Sequence, residues 1–314
     1  MKIYKPVSGE SGFKIGRIPD KAILWMMTLP FILQVFIFNY FPIYSWYTAF
    51  IRYIPGVPLL KSEFVGLRYF TMFFSAGEVF ESLKNTLAMG FLGILFSPLP
   101  IVFAILINEA GNMRARKLLQ TAASIPNFIS YIITYSIFFT FFSLNDGVVN
   151  NILLKTGIIS SPLDILGNPD IVWLFQAGVV NVWKTMGWTA IIYISTITSI
   201  DQELYAAAKV DGCGRWKQIL HITVPGIMPT YAVLLLLSIS NMLSGMNFEQ
   251  VYVFSNPMVS KMIQTIDLYT YKVGLQMSNF SIGTAVGIVK SVASLTLLFT
   301  FNGLSRKLFD KSLI

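Results

Sequence analysis

Long stretches without charged side chains are the feature that most limits how this chain can fold. Residues 22–51 contain no Asp, Glu, Lys or Arg, and several later stretches are almost as free of charge. A helix needs about 20 consecutive apolar residues to cross the hydrocarbon core of a bilayer. Only 12% of the residues are charged, whereas soluble domains carry about 25%. The sequence therefore predicts an integral membrane protein.

Six stretches are long and apolar enough to be spans, at residues 23–47, 85–108, 122–142, 171–200, 227–246 and 281–304. The first is too long for a cleavable signal peptide, which needs about 7–15 apolar residues, so we expect a retained span. The predicted fold is an all-α polytopic membrane protein with six transmembrane helices. Its parts are a cytoplasmic tail (1–21), a six-span domain (22–305) with a loop at 201–229 between the fourth and fifth spans, and a second cytoplasmic tail (306–314).

The distribution of basic residues predicts the orientation. Six spans put both termini on the same side of the membrane as the loops after the second and fourth spans. That side carries roughly twice as many Lys and Arg residues as the other, and basic residues are enriched in cytoplasmic loops. Both termini are therefore expected in the cytoplasm. The net charge of +8 lies mostly in loops and tails, which favours anionic lipid over nucleic acid as its partner.

The predicted spans lack the groups that most membrane chemistry needs. They contain no carboxylate, whereas ion-coupled carriers commonly place Asp or Glu within the membrane. The same absence argues against an enzyme that uses general acid-base chemistry. Cys213 and His221 are the only residues of their types, and one of each does not make a metal site. The energy for any transport is therefore expected to come from outside this chain.

The loop at residues 201–229, called the polar loop below, is predicted to fold as two short helices. Asp201 or Ser199 can cap the first helix, whose first turn carries Glu203 at the positive end of the helix dipole. Alanines at 206–208 favour a helix and let another surface approach closely. Gly212 suits the left-handed residue that ends a helix.

The second short helix is predicted to begin near Arg215 and to stop at Pro225, before the fifth span, because proline has no N–H to donate within a helix.

The spacing within the polar loop resembles a known family. Ala207 and Ala208 are followed by three residues and Gly212, and nine further residues lead to Ile222 and then to Pro225. This pattern is similar to the cytoplasmic loop of permease subunits in binding-protein-dependent ABC importers. The flanking residues resemble the sugar-transporting branch of that family.

The loop departs from the family pattern at two positions. Ala206 stands where the family usually has a glutamate, and Val224 replaces a leucine. Glu203 lies one helical turn earlier on roughly the same face and can partly substitute for the missing carboxylate.

Other stretches extend the resemblance over most of the chain, to permeases of the polysaccharide branch, which includes alginate importers. These stretches are Asn85-Thr-Leu, Pro126-Asn-Phe-Ile-Ser, Trp183-Lys-Thr-Met-Gly-Trp, Asn247-Phe-Glu-Gln, Asn256-Pro, Tyr271-Lys-Val-Gly and Gly287-Ile-Val-Lys-Ser.

The resemblance implies a division of labour with other chains in a bacterial cytoplasmic membrane. Expected partners are a second, non-identical permease, two cytoplasmic ATPases that bind ATP and Mg²⁺, and an external solute-binding protein. This chain has no phosphate-binding loop of its own, so no cofactor and no enzymatic activity are expected in it. The residues that the resemblance assigns to ATPase coupling are Glu203, Ala206, Ala207, Ala208, Asp211, Gly212, Arg215 and Pro225.

Several polar and aromatic side chains within or beside the spans are candidates for the substrate path. Lys184 and Lys290 are cations at membrane depth, which pair either with protein groups or with an anionic substrate such as a uronate. Ser238, Asn241, Ser244 and Asn247 would form a polar stripe on the fifth span, although such residues also join spans together. The full candidate set is Tyr131, Tyr135, Trp183, Lys184, Trp188, Asn241, Ser244, Asn247, Glu249, Gln250 and Lys290.

The main prediction is a permease subunit of an ATP-driven importer for oligosaccharides or polysaccharide fragments that works by alternating access. Two alternatives stay open at this point. One is an ABC permease for another solute, such as an amino acid, and the other is an ion-coupled secondary carrier. A small-residue ridge at Gly283, Gly287 and Ser291 predicts close helix packing, either within the subunit or against a partner permease.

Overall fold

The structure is a computed structural model that describes residues 20–243 and 248–309. These residues form helices joined by turns and loops, of which the stretch 156–171 is one of the longer. Apart from one isolated bridge between Ile51 and Phe64, they contain no β pairing. The all-helical prediction is confirmed for this part of the chain.

The chain divides into two compact units, residues 1–47 and 48–314. In the first unit, the described residues are helical: Asp20–Val35 is an α-helix, Phe36–Tyr40 a π turn, and a 3₁₀ segment begins at Phe41. The helical stretch as a whole covers Lys21–Phe50, and in its most apolar 18-residue segment no residue is buried. A helix that exposes apolar side chains on all sides needs lipid or another protein around it.

The second unit holds the remaining helices. The longer ones are Gly77–Phe96, Leu99–Glu109, Met113–Ser124, Tyr131–Phe142, Val182–Thr198, Val224–Ser240 and Phe280–Phe309. Shorter ones are Arg68–Ser75, Val148–Lys155, Gln202–Val210, Arg215–Gln218, Phe248–Phe254, Ser260–Ile263 and Ile266–Thr270. π turns at Phe175–Asn181, Ile219–Thr223 and Tyr271–Gln276 join neighbouring helices.

Four helical stretches are long and apolar enough to cross a membrane, namely Lys21–Phe50, Gly77–Glu109, Arg215–Ser240 and Phe280–Gly303. They correspond to the predicted first, second, fifth and sixth spans. A bent pair, Met113–Phe128 and Tyr131–Phe142, adds a fifth candidate if it is counted as one span. The described residues therefore hold four to five apolar candidate spans, and the predicted fourth span is not among them.

The predicted third span is not one straight helix. Its two parts meet at an angle of 107°. Pro126 lies in a 3₁₀ turn, Ile125–Phe128, that ends the first part. Ser130 then starts the second part, because its side chain accepts a hydrogen bond from the Ile133 N–H. The uninterrupted hydropathy of residues 122–142 conceals this break, since hydropathy records composition and not direction.

Pro225 does not stop the second helix of the polar loop, so that prediction was wrong. The helix runs from Arg215 through to Ser240. The Val224 N–H donates to the Ile219 carbonyl, five residues back, and closes a π turn immediately before the proline. The proline is therefore in the first turn of the α-helix Val224–Ser240, where its missing N–H and fixed φ are tolerated.

The core of the second unit forms where helix Val182–Thr198 crosses its neighbours. Ala104, Ala190, Tyr193, Ile197 and Ile227 make one buried cluster. On the same helix, a Cβ added at Gly187 would lie 2.0 Å from the Ala123 carbonyl oxygen. Only glycine permits so close an approach between this helix and Met113–Ser124.

The segment after the fifth predicted span packs onto the starts of the second and fourth. Met89 and Val172 form a buried cluster with Val251, Val259, Ile263 and Leu268. The Asn85 side-chain amide donates to the main-chain carbonyls of Lys261 and Gln264, at 2.7 and 3.0 Å. These bonds give the Asn85-Thr-Leu stretch a structural role.

Candidate functional site

The first helix of the polar loop, Gln202–Val210, begins and ends as its sequence predicts. The Asp201 carboxylate accepts a hydrogen bond from the Glu203 N–H at 2.9 Å, so Asp201 is the cap. At the other end Gly212 has φ +74°. The Cys213 N–H donates to the Ala208 carbonyl at 2.8 Å, and the Gly212 N–H donates to the Lys209 carbonyl at 3.1 Å. This pair of bonds is the glycine-dependent helix ending in which a left-handed residue is required.

The two faces of this helix differ in their surroundings. On the inner face, the Tyr205 hydroxyl shares a hydrogen bond of 2.9 Å with the Thr223 hydroxyl, and Ala208 is half-buried. Glu203, Ala206 and Ala207 are exposed, and Val210 is 88% exposed. Asp211, Gly212, Arg215 and Pro225 are exposed as well. The helix therefore presents a small-residue surface with one carboxylate to whatever lies outside it.

Lys184 is enclosed by protein groups. The side chain is 5% exposed, and its ammonium group donates to the main-chain carbonyls of Pro126 at 3.1 Å, Asn127 at 3.3 Å and Ile129. The same group lies 4.6 Å from the centre of the Tyr131 ring. The sequence predicts either protein groups or an anionic substrate as the partner of this lysine, and in the described residues its partners are protein groups. The contact also joins the Trp183–Trp188 and Pro126–Ser130 stretches that sequence reasoning had found separately.

The aromatic candidates pack mainly against other rings. Tyr135 meets Phe254 edge-on at 5.1 Å, Trp183 meets Phe138 at 5.5 Å, and Trp188 meets Phe128 at 5.4 Å. Trp188 is 48% exposed, so one of its faces is free for a lipid, a partner chain or a ligand.

The candidates near the end of the fifth predicted span lie in different environments. Asn241 caps the end of helix Val224–Ser240, since its N–H donates to the Leu237 carbonyl at 3.0 Å, and its side chain is exposed. Ser244 and Asn247 lie outside the described residues. Glu249 is exposed and acts electrostatically on both Tyr131 and Lys184.

Gln250 is fully buried, and its amide donates to the main-chain carbonyl and the side-chain oxygen of Gln176, at 2.9 and 2.8 Å. This bond ties helix Phe248–Phe254 to the π turn Phe175–Asn181. Gln250 therefore makes no contact with solvent in this conformation.

Lys290 forms an ion pair with Asp267. The ridge beside it divides into two parts. Gly283 packs within the subunit, because a Cβ added there would lie 2.9 Å from the Gly274 Cα. At Gly287 an added Cβ would meet nothing within 4 Å, so that part of the ridge is open.

A cavity of about 160 Å³, called the polar cavity below, lies among the helices of the second and fifth predicted spans and helix Val182–Thr198, and half of its lining residues are polar. The Ser97 and Tyr231 hydroxyls share a hydrogen bond of 3.0 Å in its wall. Further polar lining residues are Asn181, Thr185, Thr189, Tyr193 and Ser238. Such a cavity offers hydroxyl and amide groups to a polar solute inside an otherwise apolar region.

Sequence reasoning identified Ser238 in this wall and missed the rest. Asn181, Thr185 and Thr189 recur every four residues, which places them on one face of a helix, and this spacing is a signal that could have found them.

Comparison with known proteins identifies the family. The sequence profile described as "Binding-protein-dependent transport system inner membrane component" matches residues 96–311. The chain belongs to this family. It is a permease subunit, as predicted, and not an enzyme.

Individual relatives agree with this assignment over nearly the whole chain. Protein LplB of Bacillus subtilis (strain 168) is 36% identical, over 92% of this chain and 89% of LplB. The polygalacturonan/rhamnogalacturonan transport system permease protein YteP of the same strain is 35% identical, over 95% of this chain and 92% of YteP.

Solved structures with the same fold include a chain of a bacterial ABC transporter involved in the import of the acidic polysaccharide alginate. It has a TM-score of 0.82 and 34% identity, and covers 92% of this chain and 97% of that one. A second structure, of a bacterial alginate ABC transporter in complex with an alginate pentasaccharide-bound periplasmic protein, has a TM-score of 0.84 and 34% identity. The predicted resemblance to sugar importer permeases is therefore confirmed.

Proposed function

We propose that this permease carries oligosaccharides or polysaccharide fragments, including acidic ones, into a bacterial cell. The observation that carries the proposal is its identity of 34% or more, over most of its length, with chains of transporters for polygalacturonan/rhamnogalacturonan and alginate. A cavity lined by hydroxyl and amide groups supports it, because such groups form hydrogen bonds with sugar hydroxyls.

The proposed topology has six spans with both termini in the cytoplasm. The four to five apolar candidates support five of these spans. The remaining span is the predicted fourth. It corresponds to a continuous helical stretch made of Val172–Leu174, Phe175–Asn181 and Val182–Thr198, which is long enough to cross a membrane at about 1.5 Å per residue. The domain boundaries proposed are 1–21, 22–305 and 306–314, with the polar loop at 201–229 in the cytoplasm.

The polar loop is proposed to couple this subunit to an ATPase. The exposed small-residue face of Gln202–Val210 is suited to close docking, and Glu203 provides a carboxylate there. ATP and Mg²⁺ would bind to two partner ATPases, and a second, non-identical permease and an external solute-binding protein would complete the importer. Closure of the ATPase pair would move the polar loop and open the path outward, which is alternating access.

The substrate path is proposed to include the polar cavity together with Trp188 and Glu249, whose side chains are exposed to some extent. Lys184 and Gln250 are assigned to positioning, because both are enclosed by protein groups.

The test is uptake by vesicles that contain this subunit with its partner chains. ATP should drive uptake of labelled oligogalacturonate, and an imposed proton or sodium gradient without ATP should not. Thr185→Val removes one hydroxyl from the cavity wall and should reduce uptake several-fold while the complex still assembles. Thr140→Val is the matched control, because Thr140 makes the same kind of bond to the carbonyl four residues back and does not line the cavity.

Gradient-driven uptake without ATP would support the secondary carrier instead. ATP-driven uptake of an amino acid and of no sugar would support a permease for a different solute.

A further inference from the structure

A cavity of about 710 Å³ lies behind the polar loop. This is within the range of about 300–1,000 Å³ typical of small-molecule sites. One wall is the segment that follows helix Leu99–Glu109. The other is formed by the end of helix Val182–Thr198 and by the polar loop. Its lining includes Asn108, Arg116, Gln202, Tyr205, Lys209 and Arg215.

The cavity carries an excess of positive charge. Arg116, Lys209 and Arg215 line it, against one carboxylate, Glu109. None of the three cations takes part in an ion pair within the part of the chain that the structure describes. Arg116 donates to the neutral side-chain oxygen of Asn108. The helix ends at Glu109 and Thr198 each add about half a negative charge, which leaves an excess of about one positive charge.

The position of the cavity matches the cytoplasmic surface of the membrane. Its walls include the ends of helices Leu99–Glu109 and Val182–Thr198, which we assign to spans. That these ends face the cytoplasm rests on the orientation given in the proposed function. Trp216 is 76% exposed and lies between Arg215 and Lys217. Tryptophan and basic residues are enriched together at the cytoplasmic membrane interface, where anionic lipids give the leaflet a negative surface potential.

We propose that this cavity binds the phosphate of an anionic phospholipid headgroup from the cytoplasmic leaflet. An arginine fork can hold two phosphate oxygens at once, and a lysine adds a point charge. The bound phosphate bridges Arg116, on helix Met113–Ser124, to Lys209 and Arg215 on the polar loop. It thereby holds the polar loop against the membrane domain.

The two faces of helix Gln202–Val210 are then used for different partners. Gln202, Tyr205 and Lys209 line the cavity. Ala206 and Ala207 are outside it and stay free for the ATPase.

The test measures lipid retention by the full-length chain purified from membranes, with native mass spectrometry after titration with phosphatidylglycerol or phosphatidylcholine. The cavity variant is Arg116→Gln, Lys209→Gln and Arg215→Gln together. The matched control is Arg114→Gln, Lys117→Gln and Lys217→Gln, which removes the same total charge from the same two segments, helix Met113–Ser124 and the polar loop, but from residues that do not line the cavity. Retention of phosphatidylglycerol should fall about tenfold for each cavity cation removed, because each loses a charge-assisted hydrogen bond to the phosphate. The control should lose less, since it reduces only the general attraction of basic residues to the leaflet.

Three results would overturn the proposal. Equal losses in both triple variants would show a general surface-charge effect. Displacement of the lipid by inorganic phosphate at comparable concentration would identify a soluble anion as the ligand. Loss of ATPase association with unchanged lipid retention would assign the cavity to the ATPase interface.

A charge-retaining variant, Arg116→Lys with Arg215→Lys, guards against misfolding and should keep most of the retention. Lipid retention is measured without any sugar transport. A failure of this proposal can therefore be distinguished from a failure of the proposed substrate.

Discussion

Lys184 shows how a single charged residue can be accommodated within the proposed fourth span. Its ammonium group is surrounded by the carbonyls of Pro126, Asn127 and Ile129, which the 3₁₀ turn at Ile125–Phe128 directs toward it. A charged side chain in this position requires such partners, because an uncompensated charge in a bilayer is unfavourable by at least about 2.5 kcal/mol. The lysine thus holds the bend between two helices by binding main-chain carbonyls at the bend itself.

Replacing Lys184 with methionine should destabilise the protein. Methionine has an unbranched side chain of similar length but cannot donate a hydrogen bond to the three carbonyls. The loss of these bonds should lower the free energy of unfolding by about 1–3 kcal/mol. The measurement is the thermal unfolding midpoint of the detergent-purified protein. Lys117→Met, at an exposed position, is the control and should change little. A Lys184→Met protein as stable as the wild type would contradict the role given to this contact.

At the level of helices, local sequence signals predicted both ends of the helix Gln202–Val210. They did not predict features that depend on tertiary structure. Asp201 and Gly212 act through bonds to residues within five positions, so the nearby sequence was sufficient. The 107° bend in the third span and the π turn that accommodates Pro225 depend on contacts and geometry that hydropathy does not record. The polar cavity and the burial of Gln250 depend likewise on residues far apart in the sequence, such as Gln176.

Close helix packing at Gly187 should be intolerant of a larger side chain. A Cβ at this position would lie 2.0 Å from the Ala123 carbonyl oxygen, so Gly187→Ala should force the helices apart and destabilise the protein by about 1–3 kcal/mol. Gly287→Ala is the matched control, since nothing lies within 4 Å of its added Cβ. Both are measured by thermal unfolding. Equal effects at the two positions would show that the close approach at Gly187 is not required.

The ending of helix Gln202–Val210 should depend on Gly212. Its φ of +74° is unfavourable by about 1–2 kcal/mol for other residues, so Gly212→Ala should loosen this ending. Gly214 has φ −69° and open space around it, so Gly214→Ala should be tolerated. Hydrogen exchange of the main-chain amides at positions 212 and 213 reports the difference. Unchanged protection in Gly212→Ala would contradict the requirement for a left-handed residue.

For the molecule as a whole, the basic-residue bias predicts an orientation that the chain itself can report. Cys213 is its only cysteine, so a membrane-impermeant thiol reagent labels a single site. The reagent should label Cys213 in inside-out vesicles and not in intact cells from which any outer barrier has been removed.

The reverse pattern is expected for Ile158→Cys in a Cys213→Ser background. Residue 158 lies between the predicted third and fourth spans, on the side of the membrane opposite the termini in the proposed topology, and its side chain is exposed. Labelling of Cys213 from outside would overturn the six-span topology.

In the proposed function, the polar loop couples ATP hydrolysis by a partner ATPase to sugar import through this permease. The most direct test is the ATPase activity of the complex purified with its partner chains, with and without sugar-loaded binding protein. Wild type and Gly214→Ala should co-purify with an ATPase and show hydrolysis stimulated by the loaded binding protein. Gly212→Pro, which cannot adopt φ +74°, should lose assembly or stimulation. Stimulated hydrolysis that survives Gly212→Pro, or transport by the chain purified alone, would contradict the claim.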